Sequence, residues 1–140
     1  MKLASNSTER AALGAMLLDQ HELYRVSYLL TVEMFAADAH QKVYAALIEA
    51  GRSDAAKVAQ VLWERKQIED IGGYGYLATL LDACPAPCQA PWYAKQIKEM
   101  WMRRKLMHEA NELLNAAKSP YGPAVEMARD SVQRLQRLAS

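Results

Sequence analysis

From about Ala90 to Ala117 the chain runs without an interior helix breaker. That is about seven turns of helix, or about 40 Å at 1.5 Å per residue. One apolar stripe on it is Tyr93, Ile97, Met100, Met107 and Leu114; a second is Met102, Leu106, Ala110, Leu113 and Ala117. The two lie about 100° apart, the rotation of one residue. A helix packed on one neighbour needs roughly one such stripe, so this one carries nearly twice the apolar surface that a single partner covers. Ser119-Pro120-Tyr121-Gly122-Pro123 reads as a turn. Ala124 to Leu138 follows as a helix with Val125, Ala128, Val132 and Leu135 at helical spacing. An antiparallel hairpin covers part of the surplus, and the rest predicts contact with the remainder of the chain or with another chain. Met and Trp are over-used where protein surfaces meet. The candidates for a dimer interface are therefore Trp92, Ile97, Met100, Trp101, Met102, Leu106, Val125, Val132 and Leu135.

The residues before this hairpin predict a bundle of shorter helices. Ser7 or Thr8 is expected to cap a helix reaching Leu18, with Glu9 suited to its positive start. Asp19 breaks that run, and Gln20 opens a second helix with Leu23, Val26, Leu29 and Leu30 inward. Thr31 to Phe35 reads as a capped single turn. A third helix spans about Asp38 to Ala50 with Val43, Ala46 and Leu47 inward, and Gly51 ends it. Ser53 or Asp54 caps a fourth helix ending near Lys66, and Gly72-Gly73 leads into a fifth through Leu81. Pro85 and Pro87 stop the fifth. No window alternates strictly between apolar and polar residues, so no sheet is predicted. The expected fold is all-α: a small helical globule over residues 1–88 and a protruding antiparallel helical hairpin over residues 89–140, together one structural domain.

The chemistry expected of the chain is binding rather than catalysis. The 140 residues carry 17 Lys plus Arg against 16 Asp plus Glu, so no global charge attracts nucleic acid. Arg103-Arg104-Lys105 with Lys95 and Lys98 reads as a solvated basic face whose stems lie along apolar surface. No apolar run is long enough to span a membrane, and the first residues lack the apolar stretch of a signal peptide. Two cysteines with neither feature point to a reducing cytoplasm. Gly73-Tyr74-Gly75-Tyr76-Leu77-Ala78 matches the letters G-x-G-x-x-A, but a dinucleotide fingerprint needs a preceding strand. Here a helix precedes it. There is no G-x-x-x-x-G-K-S/T, so no cofactor or nucleotide site is expected. Cys84 and Cys88 are only half the ligands of a zinc site, and His21, His40 and His108 are scattered. No metal site is expected either. Carboxylates at Glu64, Glu69 and Asp70, or at Glu109 and Glu112, read as solvated helix faces.

The order of the short motifs carries a resemblance. Ser7-Thr8-Glu9-Arg10-Ala11-Ala12-Leu13-Gly14-Ala15-Met16-Leu17-Leu18-Asp19 is similar to E-A-E-Q-x-V-L-G-A-x-L-L-D, the opening of the N-terminal domain of DnaB-type replicative DNA helicases. Glu33-Met34-Phe35 followed by His40 resembles that family's E-D-F-Y … H turn. Gln67-Ile68-Glu69-Asp70-Ile71-Gly72-Gly73-Tyr74-Gly75-Tyr76-Leu77 resembles its x-L-E-x-V-G-G-x-x-Y-L stretch. Cys84-Pro85-Ala86, then Tyr93-Ala94, then Arg103-Arg104-Lys105-Leu106-Met107 resemble x-T-P-S … Y-A … L-R-R-x-L-I. Each motif is weak alone; their order and spacing from Ser7 onward are specific. The chain departs from the pattern in being about four residues shorter between Lys42 and Asp54. Arg10 stands where Gln is usual, and Arg52-Ser53-Asp54 replaces Pro-Val-Asp. Gln89-Ala90-Pro91 replaces Ala-Asn-Ile, which predicts that Pro91 starts the long helix one turn late.

The resemblance implies a globule with a hairpin that pairs between subunits, the paired domains forming a collar on a hexameric ring. In the family the collar binds the C-terminal domain of primase and helps to organise helicase-loader contacts. Motif alignment places the primase-coupled positions on Tyr76, Met107 and Leu113. The expected role is that of a non-catalytic collar domain in DNA replication, the ATP-dependent helicase activity belonging to a parent protein. Two other readings stay open on the sequence. One is a stand-alone phage- or plasmid-encoded adaptor or antagonist of the helicase–primase machinery. The other is a helix-turn-helix regulator built from Asp54–Lys66 and Gly73–Ala83, against which the near-neutral charge counts.

Overall fold

The computed structural model describes residues 3–84 and 89–140. Within them lie seven α-helices, one 3₁₀ turn and no strand. Helix α1 spans Asn6–Leu18, and its cap is Ser5 rather than Ser7 or Thr8: the Ser5 hydroxyl accepts from the Thr8 amide. Asp19 ends α1 and caps α2 (Gln20–Ser27), its carboxylate accepting from the His21 amide at 2.8 Å. Leu29 and Leu30 thus lie just past the end of α2. A 3₁₀ turn at Val32–Met34 has no side-chain cap. Helix α3 (Asp38–Ala50) stops at Gly51, φ 67°, and α4 (Ala55–Glu64) starts from the Asp54 carboxylate.

Gly72 and Gly73 take φ of 105° and 81°, a left-handed corner that side chains resist, and so turn the chain into α5 (Tyr74–Asp82). Helix α6 covers Ala90–Lys118. Pro91 sits in its first turn, where a missing N–H is one of the helix's orphan donors anyway, so the helix begins at Ala90 and not a turn later. Helix α7 runs Ala124–Ala139. The Cys88 expectation falls on residues 85–88, outside the described residues.

Helix α1 is the axle of the globule. Helices α2, α3, α5 and α6 all pack on it, and Ala12, Leu13, Ala15 and Met16 are fully buried. Gly14 permits the closest approach: a Cβ there would stand 2.2 Å from the Leu80 carbonyl oxygen of α5. Phe35, Tyr44, Leu47, Leu62 and Leu80 complete the core. Tyr44 donates its O–H to the Leu30 carbonyl at 2.9 Å, and burial pushes its pKa up to about 12.

The first half of α6 belongs to this core. Ala90, Ala94, Ile97 and Met100 are buried, and Trp101 packs against them. The division expected at residues 88 and 89 therefore falls, in packing, near Arg104. Apolar burial, not the proline-marked break in the chain, decides where the globule ends.

Candidate protein-binding surface

Polar contacts that the sequence hides hold the globule together. Glu9 is buried, and it accepts from the Ala36 amide at 2.8 Å, the Ala37 amide at 3.3 Å and His40 Nδ1–H at 2.8 Å. A carboxylate accepts only, so Nδ1 carries the proton; for a neutral ring Nε2 then accepts from the Tyr76 O–H at 2.5 Å. Glu9 thus serves the entry to α3, which lacks a side-chain cap of its own, rather than the start of α1. Three distant sequence motifs meet in this chain of bonds. Burial, with the Glu9 charge adding and Arg10 opposing, raises the Tyr76 pKa. Tyr76 is half-buried, its hydroxyl turned inward and its ring stacked on His40 with centroids 5.9 Å apart.

The basic run on α6 does not form one face. Arg104 donates to the Leu3 carbonyl at 2.6 Å and to the Met34 carbonyl at 3.0 Å, tying α6 to the residues before α1 and to the 3₁₀ turn. Arg103 pairs with Glu99 at 3.1 Å, and Lys105 Nζ lies 5.9 Å over the Trp101 ring.

Beyond Arg104, α6 leaves the globule and pairs with α7. Only Glu109 is buried on this half of α6, and only Ser131 on α7. Arg134 Nε donates to both Glu109 oxygens, at 2.9 and 2.8 Å. Those hydrogen bonds hold the Glu109 carboxyl below the usual carboxylate range, with burial opposing. The two residues lie nearly equidistant from Tyr121 in the turn, about 12 residues either side, which is the register an antiparallel hairpin imposes. That symmetry was the signal available in the sequence; read alone, Glu109 looks solvated.

With the polar seam in place, the apolar side chains fall to one side. Leu106, Met107, Ala110, Leu113, Leu114 and Ala117 lie within about 120° of α6. Leu113 and Ala117 share an open cleft of about 420 Å³ with Met127, Ala128, Val132 and Leu135 of α7. His108, Glu109, Glu112, Asp130 and Arg134 mark the other side. One side of the hairpin is thus mainly apolar, and the other, which Leu113 and Met127 also border, carries the charged residues. Leu113 is 37% exposed, Met107 52% and Val132 51%.

The sequence candidates divide accordingly. Leu106, Val125, Val132 and Leu135 are exposed along the hairpin, as are Met107 and Leu113. Ile97 and Met100 are 1% and 6% exposed inside the chain's own core, which leaves them no surface for a second chain. Trp101 and Met102 are half-buried. Trp92 is exposed, but it sits in the first turn of α6, edge-on to Tyr93, at the far end from the hairpin tip. Tyr76 lies on the globule, apart from Met107 and Leu113. Among the described residues no group of three or more His, Cys, Asp or Glu is placed to hold a metal ion, and no helix is long and apolar enough to cross a membrane.

Comparisons with known proteins agree with this architecture. A family model described as "DnaB-like helicase N terminal domain" matches residues 1–99. The replicative DNA helicase DnaB of Geobacillus stearothermophilus is 34% identical over 113 residues, covering 78% of this chain and 25% of that protein. The replicative DNA helicase DnaB of Treponema pallidum is 33% identical over 106 residues, covering 73% and 24%. The chain therefore spans about a quarter of the length of these relatives. The crystal structure of the N-terminal domain of DnaB helicase from Mycobacterium tuberculosis superposes with a TM-score of 0.87 at 27% identity, covering 98% of this chain and 99% of that one.

Proposed function

The chain belongs to the DnaB-like helicase N-terminal domain family, and from that premise we propose that it works as a non-catalytic collar domain. It pairs with a second copy of itself through the apolar face of the α6–α7 hairpin, within a hexameric ring in the parent helicase. It offers docking surface to the C-terminal domain of primase and to a helicase loader. The observation that carries the self-association is the one-sided hairpin: Leu106, Leu113, Val132 and Leu135 line one face while the ion pairs lie on the other. A face of this kind is half of a four-helix bundle. Two-fold pairing is isologous, so each stripe meets the same stripe of the partner. The charged face suits solvent instead.

The primase reading rests on the resemblance of Tyr76, Met107 and Leu113 to the family's coupled positions. Met107 and Leu113 fall on the face that pairing covers, whereas Tyr76 is anchored on the globule.

Sedimentation of the chain across a wide concentration range tests the pairing. A concentration-dependent dimer, lost in Val132→Asp, is the expected result. A strict monomer at about millimolar concentration, where even weak pairing of this kind registers, overturns it. For primase, titrating its C-terminal domain against Tyr76→Ala, Met107→Ala and Leu113→Ala is the test. Unchanged affinity in all three, beyond the fraction unfolded, removes the carry-over.

A further inference from the structure

The charged side of the hairpin is open to solvent along most of its length, but at its base it meets the globule in a cleft. We propose that this cleft, between the 3₁₀ turn, the middle of α6 and the end of α7, binds an acidic segment of a partner protein. The carboxylates of that segment sit on Lys105 and Arg137, and an aliphatic side chain between them lies beside Trp101. Two hollows of about 330 and 360 Å³ adjoin there, and Glu33, Trp101, Lys105 and His108 line both. Ligand-sized clefts have volumes of this order. Leu135 and Leu138 of α7 wall one hollow, and Phe35 and Gln41 wall the other.

The charges around the cleft do not cancel. Glu109 neutralises Arg134. Arg104 is half-buried, and the Leu3 and Met34 carbonyls accept from its guanidinium. Carbonyls satisfy its N–H groups but supply no negative charge. Lys105 lies over the Trp101 ring, and Arg137 is exposed; among the described residues neither pairs with a carboxylate. Against these cations stands Glu33, itself without a cation partner among the described residues. Positive charge held partly out of water is screened less than charge on open surface, so it draws an anion more strongly. Carboxylates make charge-assisted hydrogen bonds to Lys and Arg, and basic clusters recognise acidic motifs in this way. A nucleic acid fits less well. Lys105 already lies over the Trp101 ring, where a base would stack. Glu33 and Glu109 would also repel a phosphate backbone. The proposal does not rest on pairing between copies.

The test is a magnetic-resonance titration of the whole isotope-labelled chain with the capped peptide Asp-Glu-Leu-Asp-Glu-Leu. Saturable shifts at the Trp101 indole N–H and at the Lys105 and Arg137 amides, with a Kd below about 1 mM, are the expected result. Lys105 and Arg137 are exposed, so Lys105→Ala and Arg137→Ala should keep the folded spectrum. Each should weaken binding at least about threefold, and added salt should weaken it further. A smaller loss in either variant overturns the proposal. So does the absence of saturable shifts at these residues, or equal affinity for the counterpart peptide carrying Asn and Gln. Tighter binding of oligothymidylate at the same residues also overturns it, and assigns the cleft to single-stranded nucleic acid. Val132 lies outside the cleft, so Val132→Asp should bind the peptide as the wild type does whatever it does to pairing.

Discussion

Helices α1 and α7 are of similar length, 13 and 16 residues, and they turn their side chains in opposite directions. The sequence of α1 has a blurred apolar pattern, with small residues on most sides, and its run from Ala11 to Leu17 is buried throughout. The sequence of α7 has the cleaner helical stripe, and that stripe is exposed. A clean stripe says that one face is to be covered without saying by what. Blurred apolar character all round says that several neighbours close in, as α2, α3, α5 and α6 do on α1. The contrast separates a region whose apolar surface is covered within the chain from one whose apolar stripe is left exposed.

The sharpest test of that contrast is Gly14→Ala. The added methyl meets the Leu80 backbone oxygen, which has no free rotation with which to escape. We expect a loss of about 3 kcal/mol or more in denaturant unfolding, more than helix propensity returns. Next come two matched truncations. Leu13→Ala, in a fully buried site, should lower unfolding free energy by about 3 kcal/mol. Leu135→Ala should change monomer stability by no more than about 0.5 kcal/mol and weaken pairing about tenfold or more. Equal stability losses in both would erase the distinction between the two regions.

Smaller effects come with pH. The Glu109 carboxyl is held below its ordinary range in the folded hairpin. The stability it adds is therefore present above the unfolded carboxylate pKa and is lost as pH falls through the lower folded value. The hairpin should loosen in that acid window, and Glu109→Gln should flatten the dependence. Exchange followed against pH at the α7 amides measures it. At the alkaline end, Tyr44 has its pKa raised to about 12. Its share of stability is complete below the ordinary tyrosine value near 10 and falls away as pH rises toward about 12. Tyr44→Phe should remove that alkaline dependence, at a cost of about 1 kcal/mol for the lost bond to Leu30.

How much of this was legible in the chain follows from the range of each cause. The Asp19 and Asp54 caps, the Gly51 stop and the turn after α6 are local, and each could be read within a few residues. The hairpin's surplus apolar surface was likewise a matter of spacing. The polar misreadings have distant partners. Arg104 looked like a solvated cation because Leu3 and Met34 are far from it along the chain. Glu9 looked like a helix-start charge because Ala36, Ala37 and His40 lie on another element. Ile97 and Met100 were grouped with Met107 because a straight helix gives all three similar faces; nothing in the helix itself marks where the globule ends.

Helix α6 passes from globule to hairpin without a break, and so behaves as a stiff lever with its fulcrum at Arg104 and Trp101. The arm from Arg104 to Lys118 is about 20 Å long, and a tilt of about 10° at the fulcrum moves its tip by about 4 Å. Displacement on that scale is comparable to the diameter of a side chain, enough to change which leucine faces which across a pairing surface. The two carbonyls that Arg104 grips, at Leu3 and in the turn at Val32–Met34, therefore help to set the angle at which that arm leaves the globule.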